Sequence, residues 1–253
     1  MRSLPSFDRA YPVRTLYTDN EDWRRCEGWQ DADRRKAALQ DYLRVPLRQV
    51  IYARETHSGS VFAVSSETGG SLAIKKETFV SAPLGGYDAL VTDVSGLLLC
   101  IWTADCVPLF LYDTTKQVAA VAHCGWRGIL DGIVPNTVRV MAERFGAAPE
   151  HIIAGFGPAI CGKCYVVSED LHEAFSMRFS PDEIGELFRP LANGKYLLDL
   201  RMAISLELRR LGVRPEEICD TGICSCESAA YASYRRNGPT KPARQTLSGI
   251  VLL

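Results

Sequence analysis

Three apolar runs stand close together in the middle of the chain, at 97–102, 107–112 and 118–123, and polar residues close each of them. Short runs this rich in Val, Ile, Leu and aromatic side chains predict neighbouring strands buried on both faces. The link Asp113-Thr114-Thr115-Lys116 reads as a hairpin loop, so the second and third strands are predicted to be antiparallel. That hairpin sets Cys106, at the start of its first strand, beside His123, at the end of its second. Upstream, the β-branched and aromatic residues of 48–64 predict two strand segments around a turn at Ser58-Gly59-Ser60, with His57 on its edge.

Helical spacing appears at 31–45 through Ala37, Leu39 and Leu43, with Asp31 or Asp33 as N-cap. A second helix follows Gly128, with Val134, Val138, Met141 and Phe145 on one face and Gly146 as its stop. Pro135 either kinks that helix or marks its true first turn. Ser168 is the expected N-cap of a short helix at 168–175, and Asp199 caps LRMAISLELRRL, which ends at Gly212. Strands are expected at 151–155, before a turn at Phe156-Gly157-Pro158, and at 218–223 and 247–252. Without an internal repeat, linker or low-complexity tract, the pattern predicts one α/β domain over 1–253, with mixed sheets rather than parallel βαβ units. Residues 1–45 are the least informative part.

Composition narrows the function classes. The 253 residues are 47% hydrophobic and 23% charged, ordinary for a globular protein able to bury a sizeable core. A net charge of −1, with basic residues dispersed, points away from nucleic acid, whose binding needs a basic surface. No stretch has the length of a membrane span, and the N-terminus lacks the apolar centre of a signal peptide, so a cytoplasmic location is expected. The nine cysteines, at 26, 100, 106, 124, 161, 164, 219, 224 and 226, are then expected as thiols, some of them metal ligands. The four histidines, at 57, 123, 151 and 172, restrict any metal chemistry.

A catalytic zinc centre takes three protein ligands and keeps one position open. His57, Cys106 and His123 lie at turn or strand ends and form an acceptable set, zinc being borderline-soft. A buried thiol beside two ordinary histidines has the same sequence. Cys161-x-x-Cys164 with Cys224-x-Cys226 offers a rival, closed four-thiolate site, although its second pair is spaced more tightly than the usual two-residue gap. Packing as small apolar loop residues is the competing reading of those four. Arg127, at an expected helix start, could hold phosphate or carboxylate, as could the basic loops Tyr234-Arg235-Arg236-Asn237-Gly238 and Arg244-Gln245. Surface salt bridging is the commoner fate of any one arginine. Dinucleotide, P-loop and serine-elbow motifs are absent.

The blocks DALVT at 88–92, TADCVPLFLYD at 103–113, VAAVAHCGWRG at 118–128, GPAI with a following CY at 157–165, and SYRRNG at 233–238 resemble the laccase-domain family. Its members are zinc-dependent purine nucleoside phosphorylases long filed as polyphenol oxidases, and the similarity runs from about Gln49 to the C-terminus. It implies His57, Cys106 and His123 as zinc ligands and an α/β fold with a central β-sandwich, its sheets largely antiparallel. It also implies phosphorolysis of adenosine, inosine, guanosine and methylthioadenosine, with deamination of adenosine. The chain departs from the family pattern in its N-terminal segment, at Val166 where a glutamate is usual, and at Thr240-Lys241-Pro242-Ala243-Arg244.

Four readings of function follow. In the first, a purine nucleoside enzyme, Arg127 with Arg235 or Arg236 holds phosphate, and Asp105 shuttles a proton or orients a ligand histidine. A copper polyphenol oxidase is the second; type 1 copper alone takes two histidines and a cysteine, so four histidines cannot furnish a multicopper centre, which leaves weak activity with adventitious copper. The third is a cysteine hydrolase acting on a cell-wall precursor or an amide, with Cys106 as nucleophile and His123 as base. A module that binds nucleosides without turnover is the fourth.

Overall fold

The structure is a computed structural model of the chain and describes residues 1–25, 32–65, 77–82, 85–238 and 245–253. Asp31, Cys26 and the 240–244 segment lie outside the described residues. One six-stranded sheet runs in the order β1 (Val13–Tyr17), β15 (Thr246–Leu252), β7 (Leu97–Thr103), β2 (Gln49–Ala53), β4 (Glu77–Ala82) and β5 (Gly85–Gly86). A second six-stranded sheet runs β14 (Ile218–Asp220), β10 (Ile152–Phe156), β8 (Val107–Asp113), β9 (Val118–Cys124), β6 (Ala89–Thr92) and β3 (Val61–Val64), and a small third sheet has three strands. Most pairings are antiparallel; β2 lies parallel to β7 and β4, β3 to β6, and β10 to β14.

The two six-stranded sheets pack face to face. Strand side chains alternate between faces, so each central strand feeds two cores. Phe110 and Tyr112 of β8 and Val121 of β9 meet Ile51, Leu99, Ile101 and Ile250 of the opposite sheet. Leu109, Leu111, Ala120 and Ala122 point the other way, onto α5 (Ile133–Phe145) and α8 (Leu200–Leu211). The outer face of the first sheet is covered by α3 (Ala32–Leu43) through Leu39 and Leu43. This four-layer arrangement is why the apolar runs are continuous rather than alternating.

The 107–113 and 118–124 runs form the expected antiparallel hairpin, but 97–103 does not adjoin it. That run belongs to the opposite sheet, between β15 and β2, and the chain changes sheets just after it. Burial on both faces reads the same in either sheet, so sequence pattern cannot separate the two cases. The 48–64 segment likewise divides, β2 going to one sheet and β3 to the other.

After Gly125 a five-residue helix, α4 (Trp126–Leu130), stops at Gly132, whose φ of 80° only glycine takes readily. Pro135 therefore stands in the first turn of α5, where its missing N–H costs nothing. Gly146 caps α5 at φ 70°, and Asp199 caps α8 by accepting from the Met202 N–H at 3.1 Å. Ser168 occupies its expected N-cap position before α6 (Glu169–Ser176), with its hydroxyl on Asp170 rather than on the helix backbone.

Candidate metal centre

The centre lies where the chain passes between the sheets. β2 and β7 are parallel and in register, Ile51 beside Leu99, so both end on the same side. From those ends the chain crosses to the second sheet twice, through 54–60 into β3 and through 104–106 into β8. His57 is in the first crossover and Cys106 in the second. β9 returns along β8 with His123 opposite Pro108, which delivers the imidazole to the same end. Donor atoms of His57, Cys106 and His123 all lie within 4.8 Å of one another.

One carboxylate arranges the two histidines. Asp88 has no exposed surface. It accepts from the main-chain N–H groups of Thr56, His57 and Ser58 at 3.1, 3.0 and 2.8 Å. Those bonds hold His57 at φ 61°, a left-handed conformation that a non-glycine residue adopts only under constraint. The same carboxylate lies 2.8 Å from Nδ1 of His123. An ionised carboxylate only accepts, so Nδ1 of His123 carries a proton, and Nε2 is the nitrogen that a metal would take in exchange for a proton.

The electrostatics follow. Burial by itself would raise the Asp88 carboxyl above its ordinary 3.8, but donors from His123 and Ser58 outweigh it and hold the pKa at about 2. Burial also opposes charge on Cys106; the adjacent His123 and His57 overcome that and pull the thiol from 9.0 to about 6. For His123, burial disfavours the charged ring, while the Cys106 sulfur and Asp88 raise its pKa. A thiol this acidic is ready as thiolate, the form a metal takes.

Beside the three donors the backbone carries no side chain at Gly125. A Cβ on Gly125 would stand 2.9 Å from Sγ of Cys106 and 3.3 Å from Cδ2 of His57. Two imidazole nitrogens and one sulfur suit a borderline-soft cation with further positions left open. Asp131 fixes the His57 loop from outside, accepting from the Gly59 N–H at 2.6 Å, and Asn136 donates to the Gly59 carbonyl at 2.9 Å.

Asp105, at φ 88°, accepts from the Ser225 hydroxyl at 2.6 Å and from the Arg235 N–H at 2.7 Å. The carboxylate paired with His123 is thus Asp88, not Asp105. Arg127 is exposed, its guanidinium 4.2 Å from the Trp126 ring centre. Arg235 donates to the Val166 carbonyl at 2.7 Å and lies over Tyr165. It also lines a cleft of about 300 Å³ with Trp126, Ser168 and Lys195. Burial raises Tyr165 to about 12, with Cys106 and Asp105 adding to the rise and Arg235 and Arg127 opposing it, so both arginines act on this side of the centre. Arg236 differs: it donates to the carbonyls of Ser225, Cys226, Ser228 and Tyr231 at 2.6, 3.2, 2.9 and 2.7 Å.

The family model described as "Multi-copper polyphenol oxidoreductase laccase" matches residues 28–248. The chain belongs to this family. Within it, purine nucleoside phosphorylase SCO2081 of Streptomyces coelicolor is 36% identical over 192 residues, 76% of this chain and 72% of that protein. Adenosine deaminase RL5, from an unknown prokaryotic organism, is 38% identical over 198 residues, 78% of this chain and 73% of its own. The crystal structure of YlmD from Geobacillus stearothermophilus matches with a TM-score of 0.72 at 28% identity, covering 87% of this chain and 79% of that one.

For this laccase-family chain the family description meets a ligand shortage. His172 stacks on Tyr196, ring centres 4.4 Å apart, and His151 closes the 3-10 turn Pro149–His151. Only His57 and His123 reach the centre. No helix among the described residues is long and apolar enough to cross a membrane. Sequence reasoning missed two carboxylates beside the centre. Asp88 heads the DALVT block, and its signal is position: it directly precedes β6, the antiparallel partner of β9. Glu55 accepts from the Trp102 N–H at 2.7 Å; burial raises its pKa, against Trp102 and His123. No sequence motif marks it.

Proposed function

We propose that the protein is a zinc-dependent purine nucleoside phosphorylase that also deaminates adenosine, and that 1–253 work as one catalytic unit. One observation supports this most: donor atoms of His57, Cys106 and His123 converge, with the two histidines arranged by a shared carboxylate, Asp88. Relatives that are a purine nucleoside phosphorylase and an adenosine deaminase support purine nucleosides as the substrate class. Zinc, when bound, contributes Lewis acidity and a water made acidic near neutral pH.

The chain's own residues do the rest. Asp88 keeps His123 in one tautomer and His57 in place. Phosphate is held by Arg127 and Arg235, whose guanidinium groups present planar paired donors to an oxyanion. Arg236 supports the same wall through its four carbonyl contacts. Asp105 ties the Cys106 turn to the Arg235 loop and carries the proton that deamination requires. Adenosine, inosine, guanosine and methylthioadenosine are the substrates, with the ribose lying towards the arginines. The setting is cytoplasmic.

The lowered Cys106 thiol and its contact with His123 also favour a second reading, a cysteine hydrolase. Products separate the two. Purified protein incubated with adenosine should release adenine only when phosphate is present, and should form inosine with or without it. Absence of both products overturns the proposal. A metal-free preparation that hydrolyses amides would establish the alternative.

A further inference from the structure

A second group of metal-type side chains lies beyond the sheet's far edge. β10 and β14 are parallel neighbours, and the chain continues side by side past their ends. Ala159 bridges Cys224; the Ala159 N–H donates to Ile223 O at 3.2 Å, and the Ser225 N–H to Ala159 O at 3.0 Å. Arg201, almost wholly buried, joins both segments by donating to the carbonyls of Gly157, Ala159 and Ile223. Two turns are thereby brought together, Cys161-Gly162-Lys163-Cys164 and Cys224-Ser225-Cys226-Glu227. Donor atoms of Cys161, Cys164, Cys224 and Glu227 all lie within 4.8 Å of one another.

The spacing fits better than the cysteines alone suggest. Cys226 is not in the group; the fourth member is Glu227, whose carboxylate lies 3.6 Å from Sγ of Cys164 and 4.0 Å from Sγ of Cys161. Both turns then have the two-residue gap usual for zinc ligands, C-x-x-C and C-x-x-E. Each first cysteine is faced by main-chain amides. The Cys161 N–H donates to Sγ of Cys224 at 3.4 Å, the Cys226 and Glu227 amides also aim at Cys224, and the Lys163 amide aims at Cys161. Amides directed at a sulfur stabilise its anionic form. Cysteines that merely fill space have no need of such donors. The first turn must also lie close against α8, since a Cβ on Gly162 would come within 2.8 Å of the Asp199 carboxylate. A tetrahedral ion with bonds of 2.0–2.3 Å separates its ligands by roughly 3.3–3.8 Å, so small side-chain movements close the site.

We propose that Cys161, Cys164, Cys224 and Glu227 bind a second zinc-type divalent cation in a closed, structural site, distinct from the His57–Cys106–His123 centre. Three thiolates and a carboxylate fill all four positions and leave none for substrate. Binding exchanges thiol protons for the ion, with no change of oxidation state. Its value is mechanical: Ser225, inside the second turn, donates to Asp105 beside Cys106, and Tyr165 follows Cys164. The second ion braces one wall of the first centre.

Metal analysis of the purified protein after dialysis against zinc tests this without depending on any activity. We expect two zinc ions per chain, and one in Cys106→Ser. Replacing zinc by cobalt(II) in that variant should still give tetrahedral d–d bands and strong thiolate charge-transfer absorption. Cys224→Ser should retain one ion, and Cys226→Ser two. If Cys224→Ser fails to fold, the wild type and Cys106→Ser decide the question. One zinc per chain that vanishes in Cys106→Ser overturns the proposal. So does loss of an ion in Cys226→Ser, or a disulfide among Cys161, Cys164 and Cys224 in protein purified under native conditions.

Discussion

A carboxylate without exposed surface survives only among donors, and Asp88 receives them from the His57 turn on one side and from the His123 ring on the other. Asp88→Asn keeps the volume and loses the charge. We expect it to weaken zinc affinity 10- to 100-fold, measured by competition with a chelator. Its effect on stability has a defined sign. The folded pKa of about 2 lies below the ordinary 3.8, so the stabilisation is complete above about pH 4 and is lost as pH falls towards 2. Urea unfolding of the wild type and Asp88→Asn should differ by ~2 kcal/mol at neutral pH, and the gap should close in that acid window. Gly125→Ala makes a separate test, because its methyl group would stand 2.9 Å from the Cys106 sulfur. Metal content should fall in that variant while the protein stays folded, at a cost of about 1–3 kcal/mol from overpacking. Cys106 and His123 can be paired from the sequence because one contiguous hairpin carries both. Asp88 cannot be placed with them, since it acts on two segments remote from it in sequence.

Helices and strands show the same division between local and long-range information. The β8–β9 hairpin can be read because its loop is contiguous, whereas for Pro135 the sequence leaves a kink and a first turn equally open, and the break at Gly132 decides for the first turn. The sheet to which 97–103 belongs is illegible, since β7 pairs with β15 and β2, both distant along the chain. The position of His57 depends on that parallel β2–β7 pairing, which its own turn does not reveal. Glu227 in the second cluster is hidden similarly: a lone glutamate carries no signal until β10 and β14 align its turn with Cys161. α5 supports the centre from the helix layer, with Val134, Val138 and Met141 buried against the second sheet. Met141→Ala should cost about 2–5 kcal/mol in urea unfolding and leave the zinc bound per folded chain unchanged. If metal is lost in proportion to stability, α5 does more than cover the sheet.

For the molecule as a whole, the mixed α/β architecture follows from pattern and composition, and the four layers follow from central strands that are apolar on both faces. The first residues are part of the same body, β1 pairing along β15 in register Thr15 beside Ile250. Two crossovers between the large sheets and the end of β9 meet at the centre. Metal and fold should therefore be linked: chelation should lower the melting temperature, and added zinc should restore it. On the proposed function, a zinc ion on His57, Cys106 and His123 drives purine nucleoside phosphorolysis. The direct measurement is zinc titration into metal-stripped protein while phosphate-dependent adenine release from adenosine is followed, for the wild type and Cys106→Ser. Release should be absent without zinc, rise with zinc in the wild type, and stay absent in the variant at every concentration. Full release by the stripped protein, or zinc-dependent release by Cys106→Ser, would contradict it.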